Sequence, residues 1–426
     1  MRRRINRRGF LAAVSGTAAL HAQTGPADLR IAAVEVWRLA GRREAETGVN
    51  RQHQVQPLHI YDEHRPKEYR ETGVAGRQSV EVTALYLKIR TEGGLEGLYG
   101  PIDREAAVVV DLQLSSFLKG KNALAVETLW DQMHRSNRHS RASHFMMGIS
   151  AVDNALWDLR GRYFQAPVYR LLGGPTRNRV EAYGSCLGFS VEVDAARRKA
   201  AELLREGFRN QKWFLAYGPG DGAAGLAKNV RLAAVLRETM GEEADFMFDA
   251  FQGWNLDYAI AWAKQAERYR PRWIEEAFHM DKLDSFVQLR RATSIPVATG
   301  EHMYGRWEAN DFLKAGAISV VQADPEWCGG VSELVKICAI ASAYDAQVIP
   351  HGHSLHAALH VVAGQSPMTC PLVEFLITKM KSYYYFEKHP LTPVDGRIVL
   401  PERPGFGIEI DSSKVLSQSV VHWAVR

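Results

Sequence analysis

Three carboxylates stand at a constant interval in the middle of the chain. Asp249 follows Phe246-Met247-Phe248, Glu275 follows Trp273-Ile274 and Glu301 follows Ala298-Thr299-Gly300, each 26 residues after the last. An apolar run ending in an acid at that period is one strand plus one helical crossing per step, which delivers all three acids to the same end of a parallel barrel. Gathered there without compensation they would repel and stay partly protonated, and an all-oxygen ligand set suits Mg2+ better than zinc. The series continues through Asp324, His351 and Glu374 at intervals of 23, 27 and 23 residues. A buried carboxylate beside an imidazole fixes its tautomer and raises its basicity, so Asp324 and His351 form a candidate dyad with His351 as general base. Lys212, in an earlier strand, supplies a cation where a metal-bound carboxylate needs its charge neutralised, and with the metal is expected to hold the enediolate. The chemistry this set suits is removal of the weakly acidic proton next to a carboxylate, with Glu374, if it stays protonated, donating a hydrogen bond to the developing enolate. A leaving group on the next carbon would then depart, helped by an acid.

Such convergence needs a scaffold. From residue 166 to 380 short β-rich runs at 181–185, 211–214, 245–250, 273–276, 296–300, 319–323, 347–350 and 373–376 alternate with helical runs. Eight strands with helical crossings predict an α/β fold of the (β/α)8, TIM-like type with its active site at the carboxyl ends of the strands. Residues 23–165 read as a separate α+β domain. Alternating apolar positions at 31–39, 83–89 and 95–99 predict strands, the last two joined at Gly93-Gly94, and 106–118, 125–133 and 148–163 have helical spacing. Between the first two strands, 52–77 is rich in His, Pro and charge, too polar for core and long for a connection, and loops of that length are usually functional or disordered. The segment 381–426 leaves the barrel rhythm and is expected to pack back on the first domain.

The quoted strings carry a resemblance. Gly148-Ile-Ser-Ala-Val-Asp-Asn-Ala-Leu-Trp-Asp-Leu and Pro167-Val-Tyr-Arg-Leu-Leu-Gly-Gly resemble the mandelate racemase/muconate lactonizing branch of the enolase superfamily. Gly300-Glu301-His302, Gln322-Ala-Asp324-Pro-Glu-Trp-Cys-Gly-Gly330, Pro350-His351-Gly352 and Glu374-Phe-Leu resemble its L-rhamnonate dehydratase group. The likeness spans roughly residues 29 to 411. It implies a capping α+β domain with a loop closing over the site, Mg2+ on Asp249, Glu275 and Glu301, and Asp324–His351 as the dyad. It also implies a substrate contact for His59 in the capping loop, and for His302 a substrate contact or help with the leaving hydroxyl. Two strings depart from the family. Lys212-Trp213-Phe214 lacks the second lysine of Lys-x-Lys, which disfavours a two-base racemase, and Asp249-Ala250-Phe251 replaces Asp-x-Asn. The reading is a Mg2+-dependent acid-sugar dehydratase giving a 2-keto-3-deoxy acid. Its rivals are an epimerase, racemase or cycloisomerase using the same enolate, and a sugar-acid binding protein without turnover.

Charge adds an address. Of 426 residues, 53 are Lys or Arg and 48 Asp or Glu, but residues 1–22 hold five arginines and no acid, leaving 48 basic against 48 acidic residues. That neutral remainder, with no basic aromatic patch, gives no sign of a nucleic-acid partner. The string Asn6-Arg7-Arg8-Gly9-Phe10-Leu11 before a weak Gly/Ala-rich apolar run looks like a twin-arginine leader, so an exported, periplasmic location is expected. No run approaches a membrane span. Four cysteines without Cys-x-x-Cys or zinc spacing read as buried thiols, and the run His351, His353, His356 and His360 reads as no zinc site, most of it being helix-face or supporting histidines. Gly218-Pro-Gly-Asp-Gly222 lacks the lysine of a phosphate loop. The resemblance implies a homo-oligomer.

Overall fold

The structure, a computed structural model, describes residues 27–139 and 141–423, so residues 1–22, where the leader is expected, lie outside it. The first domain is an antiparallel sheet of β1 (Ile31–Thr47), β2 (Gly76–Thr91) and β3 (Glu96–Tyr99). β1 and β2 pair over their whole length, from Ile31 opposite Thr91 to Thr47 opposite Gly76. Both strands outrun the alternation at 31–39 and 83–89 because the far half of the hairpin is exposed or half-exposed on both faces. Backbone pairing alone continues the ladder there, and period-2 patterning cannot report it. Helices Arg104–Val109, Val126–Ser136 and Ser143–Tyr163 cover the sheet.

Eight parallel strands form the second domain: β4 (Arg179–Ser185), β5 (Asn210–Phe214), β6 (Asp245–Asp249), β7 (Ile274–Glu275), β8 (Val297–Thr299), β9 (Val320–Val321), β10 (Gln347–Val348) and β11 (Leu372–Leu376). They pair in chain order, and β11 returns beside β4. Between β10 and β11 there is no ladder, and Val348 N donates instead to Thr369 O at 2.7 Å. Tyr183, Met247, Trp273, Ala298, Val320, Ile349 and Leu372 form one buried cluster that plugs the barrel. Side chains two apart on a strand share a face. Met247, Trp273 and Leu372 in the plug therefore place Asp249, Glu275 and Glu374 on the same inner face, one layer nearer the carboxyl ends. The last segment divides: β12 (Arg397–Val399) pairs antiparallel with β4, and β13 (Ser417–Val420) extends the first sheet beside β1.

The Gly148–Leu159 string turns out to be a clasp. From helix Ser143–Tyr163, the Ser150 hydroxyl accepts from Gly329 N at 2.8 Å, and Asn154 accepts from Val331 N and donates to Pro325 O, both at 3.0 Å. Asp153 accepts from Ser332 N at 2.9 Å and from its hydroxyl at 2.7 Å, and Trp130 Nε1 donates to Gly329 O at 2.7 Å. Gly330 must be glycine, because it sits at φ +84° and a Cβ would lie 2.4 Å from Asp153 Oδ2. The cap thus grips the loop that follows Asp324. Asn154→Ala leaves one buried N–H and one buried carbonyl unpaired and is expected to cost about 3 kcal/mol in urea unfolding. A loss below ~0.5 kcal/mol would contradict the clasp.

Candidate active site

The barrel mouth collects the expected acids. Asp249 and Glu275 end their strands, Glu301 follows β8 by two residues, and all three are buried. One carboxylate oxygen from each lies within 4.8 Å of the others. Burial and then Glu275 push the Asp249 carboxyl well above ordinary values, and burial and then Glu276 do the same to Glu301. A hard divalent cation would remove that penalty, and three carboxylates are the donors it takes. Glu276, Glu301 and His302 form a second possible group sharing Glu301. Its imidazole is a poorer ligand for Mg2+, and Glu276 is already committed to His302 and Gln252, so the all-carboxylate set fits better. Mg2+ added to chelator-treated protein is expected to stabilise it by about 2.7 kcal/mol at a hundred times Kd, read as a rise in Tm. A rise with zinc and none with Mg2+ would assign the ion to the second group.

Beneath the acids, Lys212 is fully buried, with Nζ 2.5 Å from Glu275, 2.9 Å from Glu374 and 3.5 Å from Asp249. Burial opposes its charge, but Glu275 and Glu374 outweigh that and raise the ammonium's pKa. This corrects the role expected of Lys212, which neutralises protein carboxylates and does not line the cavity. Glu374 is corrected with it. Burial favours its acid form, but Lys212 and then His351 hold the carboxyl down to about 2. Its other oxygen accepts from Gly352 N at 2.8 Å, so the protonated carboxyl that donation to an enolate requires is disfavoured here.

His351 and Asp324 lie three residues beyond β10 and β9. His351 Nδ1 is 2.7 Å from Asp324 Oδ2, and Asp324 also accepts from Glu326 N at 2.7 Å and His353 N at 3.2 Å. Asp324 accepts at both oxygens from backbone N–H groups, so Nδ1–H is taken as the donor to it and Nε2 is left as the basic atom, 3.4 Å from Glu301 Oε2. Burial lowers the His351 pKa, but without a cation Glu301 and then Asp324 raise it more, to about 9, so Nε2 becomes the free base at neutral pH only when a cation takes up the charge of Glu301. His302 Nδ1 is 3.0 Å from Glu276 Oε1, and Gln252 Nε2 reaches both Glu276 and that same ring nitrogen.

A cavity of about 380 Å3 opens over these groups, lined by Pro57, Leu187, Phe251, Gln252, Glu276, Glu301, His302, Trp327, His351, His353, Leu376 and Lys379. A wider one of about 660 Å3, beside Arg38, Arg43, Arg104 and Trp423, lies on the cap and holds none of the chemistry. His59 is not in the catalytic cavity. Gln56 N donates to its Nδ1 at 3.3 Å, which folds the ring back into its own turn, and it lines a separate cavity with Tyr217 and Asp221. Pro57 is the residue of that turn at the site.

Sequence spacing missed Glu276, Gln252, Trp327, Lys379 and Asp103. Phe251, Gln252 and Glu276 have φ of 47°, 58° and 45°, a left-handed conformation that costs non-glycine residues of order 1–3 kcal/mol each and breaks strand alternation at the mouth. The other histidines have separate partners: His356 Nε2 pairs with Glu387 at 3.0 Å, and His360 Nδ1 accepts from Tyr169 N at 3.2 Å. All four cysteines are buried free thiols.

Comparison with known proteins matches residues 63–173 to the mandelate racemase/muconate lactonizing enzyme N-terminal domain and residues 195–414 to the enolase C-terminal domain-like family. An L-rhamnonate dehydratase of Saccharopolyspora erythraea is 32% identical over 383 residues, covering 87% of this chain and 92% of that protein. The rhamnonate dehydratase of Gibberella zeae complexed with Mg superposes with TM-score 0.75 at 25% identity, over 92% of this chain and 96% of that one. The 3,6-anhydro-D-galactonate cycloisomerase of Zobellia galactanivorans shares the fold, with TM-score 0.72 at 24% identity over 90% and 98% of the two chains.

Proposed function

The chain belongs to the mandelate racemase/muconate lactonizing enzyme family of the enolase superfamily, and from that premise we propose that it is a Mg2+-dependent acid-sugar dehydratase acting on a rhamnonate-like aldonate. The observation that carries the reading is that His351, paired with Asp324, lines one cavity with Glu301, which groups with buried Asp249 and Glu275. Asp249, Glu275 and Glu301 would hold Mg2+, which supplies charge stabilisation to the substrate carboxylate as its α-proton leaves. Asp324 holds Nδ1–H so that Nε2 of His351 takes the C2 proton. Lys212 pairs with Glu275 and Glu374, and Glu374 in turn fixes the Gly352 backbone beside the base. The protonated His351 then returns its proton to the C3 hydroxyl as it leaves, and the enol product tautomerises to the 2-keto-3-deoxy acid. Phe214, where relatives carry a second lysine, provides no base for the opposite face.

The test is a library of aldonates incubated with the protein and Mg2+ and assayed for 2-keto-3-deoxy acids. Keto acid from at least one aldonate is expected. Solvent deuterium at C2 without keto acid would instead select epimerisation, and binding without exchange a non-catalytic role. We also propose that residues 1–22 direct export by the twin-arginine route. A Arg7→Lys, Arg8→Lys variant should then stay in the cytoplasmic fraction, and an unchanged distribution would reject the route.

A further inference from the structure

The loop after β9 presents Trp327 between two histidines. Its indole stacks on His351 with ring centroids 5.1 Å apart and planes at 28°, and on His302 at 5.6 Å and 28°. The Asp324 bond fixes one atom of the His351 ring. It leaves the ring free to tilt about that atom, and a face contact is what removes the tilt. His302 is in the same position, anchored at Nδ1 by Glu276 and 39% exposed.

The indole is itself held from the cap. Asp103, at the start of helix Arg104–Val109, accepts from Trp327 Nε1 at 2.9 Å through Oδ2. Its Oδ1 lies 2.9 Å from His353 Nε2, while Lys379 Nζ is 2.8 Å from His353 Nδ1. An ammonium can only donate, so Nδ1 is the acceptor and Nε2 carries the proton, with Asp103 Oδ1 as the charge beside it. Lys379, His353 and Asp103 thus form a fixed chain ending on the indole N–H. Tyr99 of the cap also bonds Glu326, so the cap grips the loop on both sides of this contact.

We propose that Trp327 is a positioning residue: one indole, set in place by Asp103 of the cap, fixes the ring planes of His351 and His302 over the cavity. The inference rests on His351 acting as the base in the proposed reaction. Side chains that act through orientation lose rate steeply for small displacements, because a misplacement of about 1 Å can cost a hundredfold.

The experiment compares Trp327→Phe, Trp327→Leu and Asp103→Asn by kinetics and by histidine ring NMR. Trp327→Leu is expected to lower kcat about a hundredfold, and Trp327→Phe and Asp103→Asn about tenfold each, with KM within about twofold of wild type. Mg2+ affinity should be unchanged, since the partners of the indole are His302, His351, His353 and Asp103. The carbon-bound protons of His351 and His302 should change their ring-current shift in Asp103→Asn, which keeps the indole but weakens its anchor, as well as in Trp327→Leu, which removes it. This spectral reading needs no turnover. If no sugar acid is consumed by the wild-type protein, the dehydratase reading fails while the spectra still decide the inference. Histidine signals that do not move in Trp327→Leu, or a kcat for that variant equal to wild type, would overturn it. Should Trp327→Leu not fold, Trp327→Phe and Asp103→Asn carry the same comparison.

Discussion

His351→Asn is expected to lower kcat on the aldonate substrate by about a thousandfold, within the range for loss of a positioned general base. Asparagine can keep the donor to Asp324 Oδ2, now 2.7 Å from Nδ1, but it has no basic atom where Nε2 stands. The variant therefore isolates proton acceptance from the architecture around it. Exchange of the C2 proton with solvent should fall in parallel with dehydration, because one nitrogen serves both. Mg2+ should still raise Tm, since His351 is 3.4 Å from Glu301 and is not one of the three acids. A kcat within tenfold of wild type would move the base to His302, the other imidazole of the cavity.

The parts of this site that were legible are those a repeating fold translates directly into space. Asp249, Glu275 and Glu301 recur at one βα period, and a parallel barrel turns equal steps in sequence into neighbouring strand ends. Asp324, His351 and Glu374 followed by the same logic. What Lys212 and Glu374 do there was not legible, because residue type gives a charge but not which other charges lie within 3 Å. Lys212 at 2.9 Å from Glu374 pulls its carboxyl toward the ionised form. Glu276 directly follows a site acid, and alternation would turn it to the other face. Its positive φ is what brings it back toward His302. Asp103 reaches Trp327 across 224 residues between two domains, and no periodicity encodes that contact. His59 failed for a related reason: a loop without repeat spacing gives candidates but no directions, and its own backbone captured the ring.

Lys212→Met is expected to have the largest effect on stability. The side chain is matched in length and stripped of charge, and it leaves Glu275, Glu374 and Asp249 buried around a thioether. Removing one member of a buried ionic cluster costs about 3–5 kcal/mol because the remaining charges lose their compensation. The carboxylates would respond by taking up protons, and that couples the loss to the metal. A divalent cation then becomes the sole counter-charge for Asp249 and Glu275, so Mg2+ should stabilise Lys212→Met by more than the wild-type protein, relative to the metal-free form of each. Activity should not return with the stability. Glu374 would lose the cation that keeps it ionised, and with it the anchor on Gly352 N beside the base. A variant as stable as wild type without metal would mean that Lys212 is not the charge holding this site together. Equal Mg2+ stabilisation of both proteins would mean that lysine and metal do not share the same carboxylates.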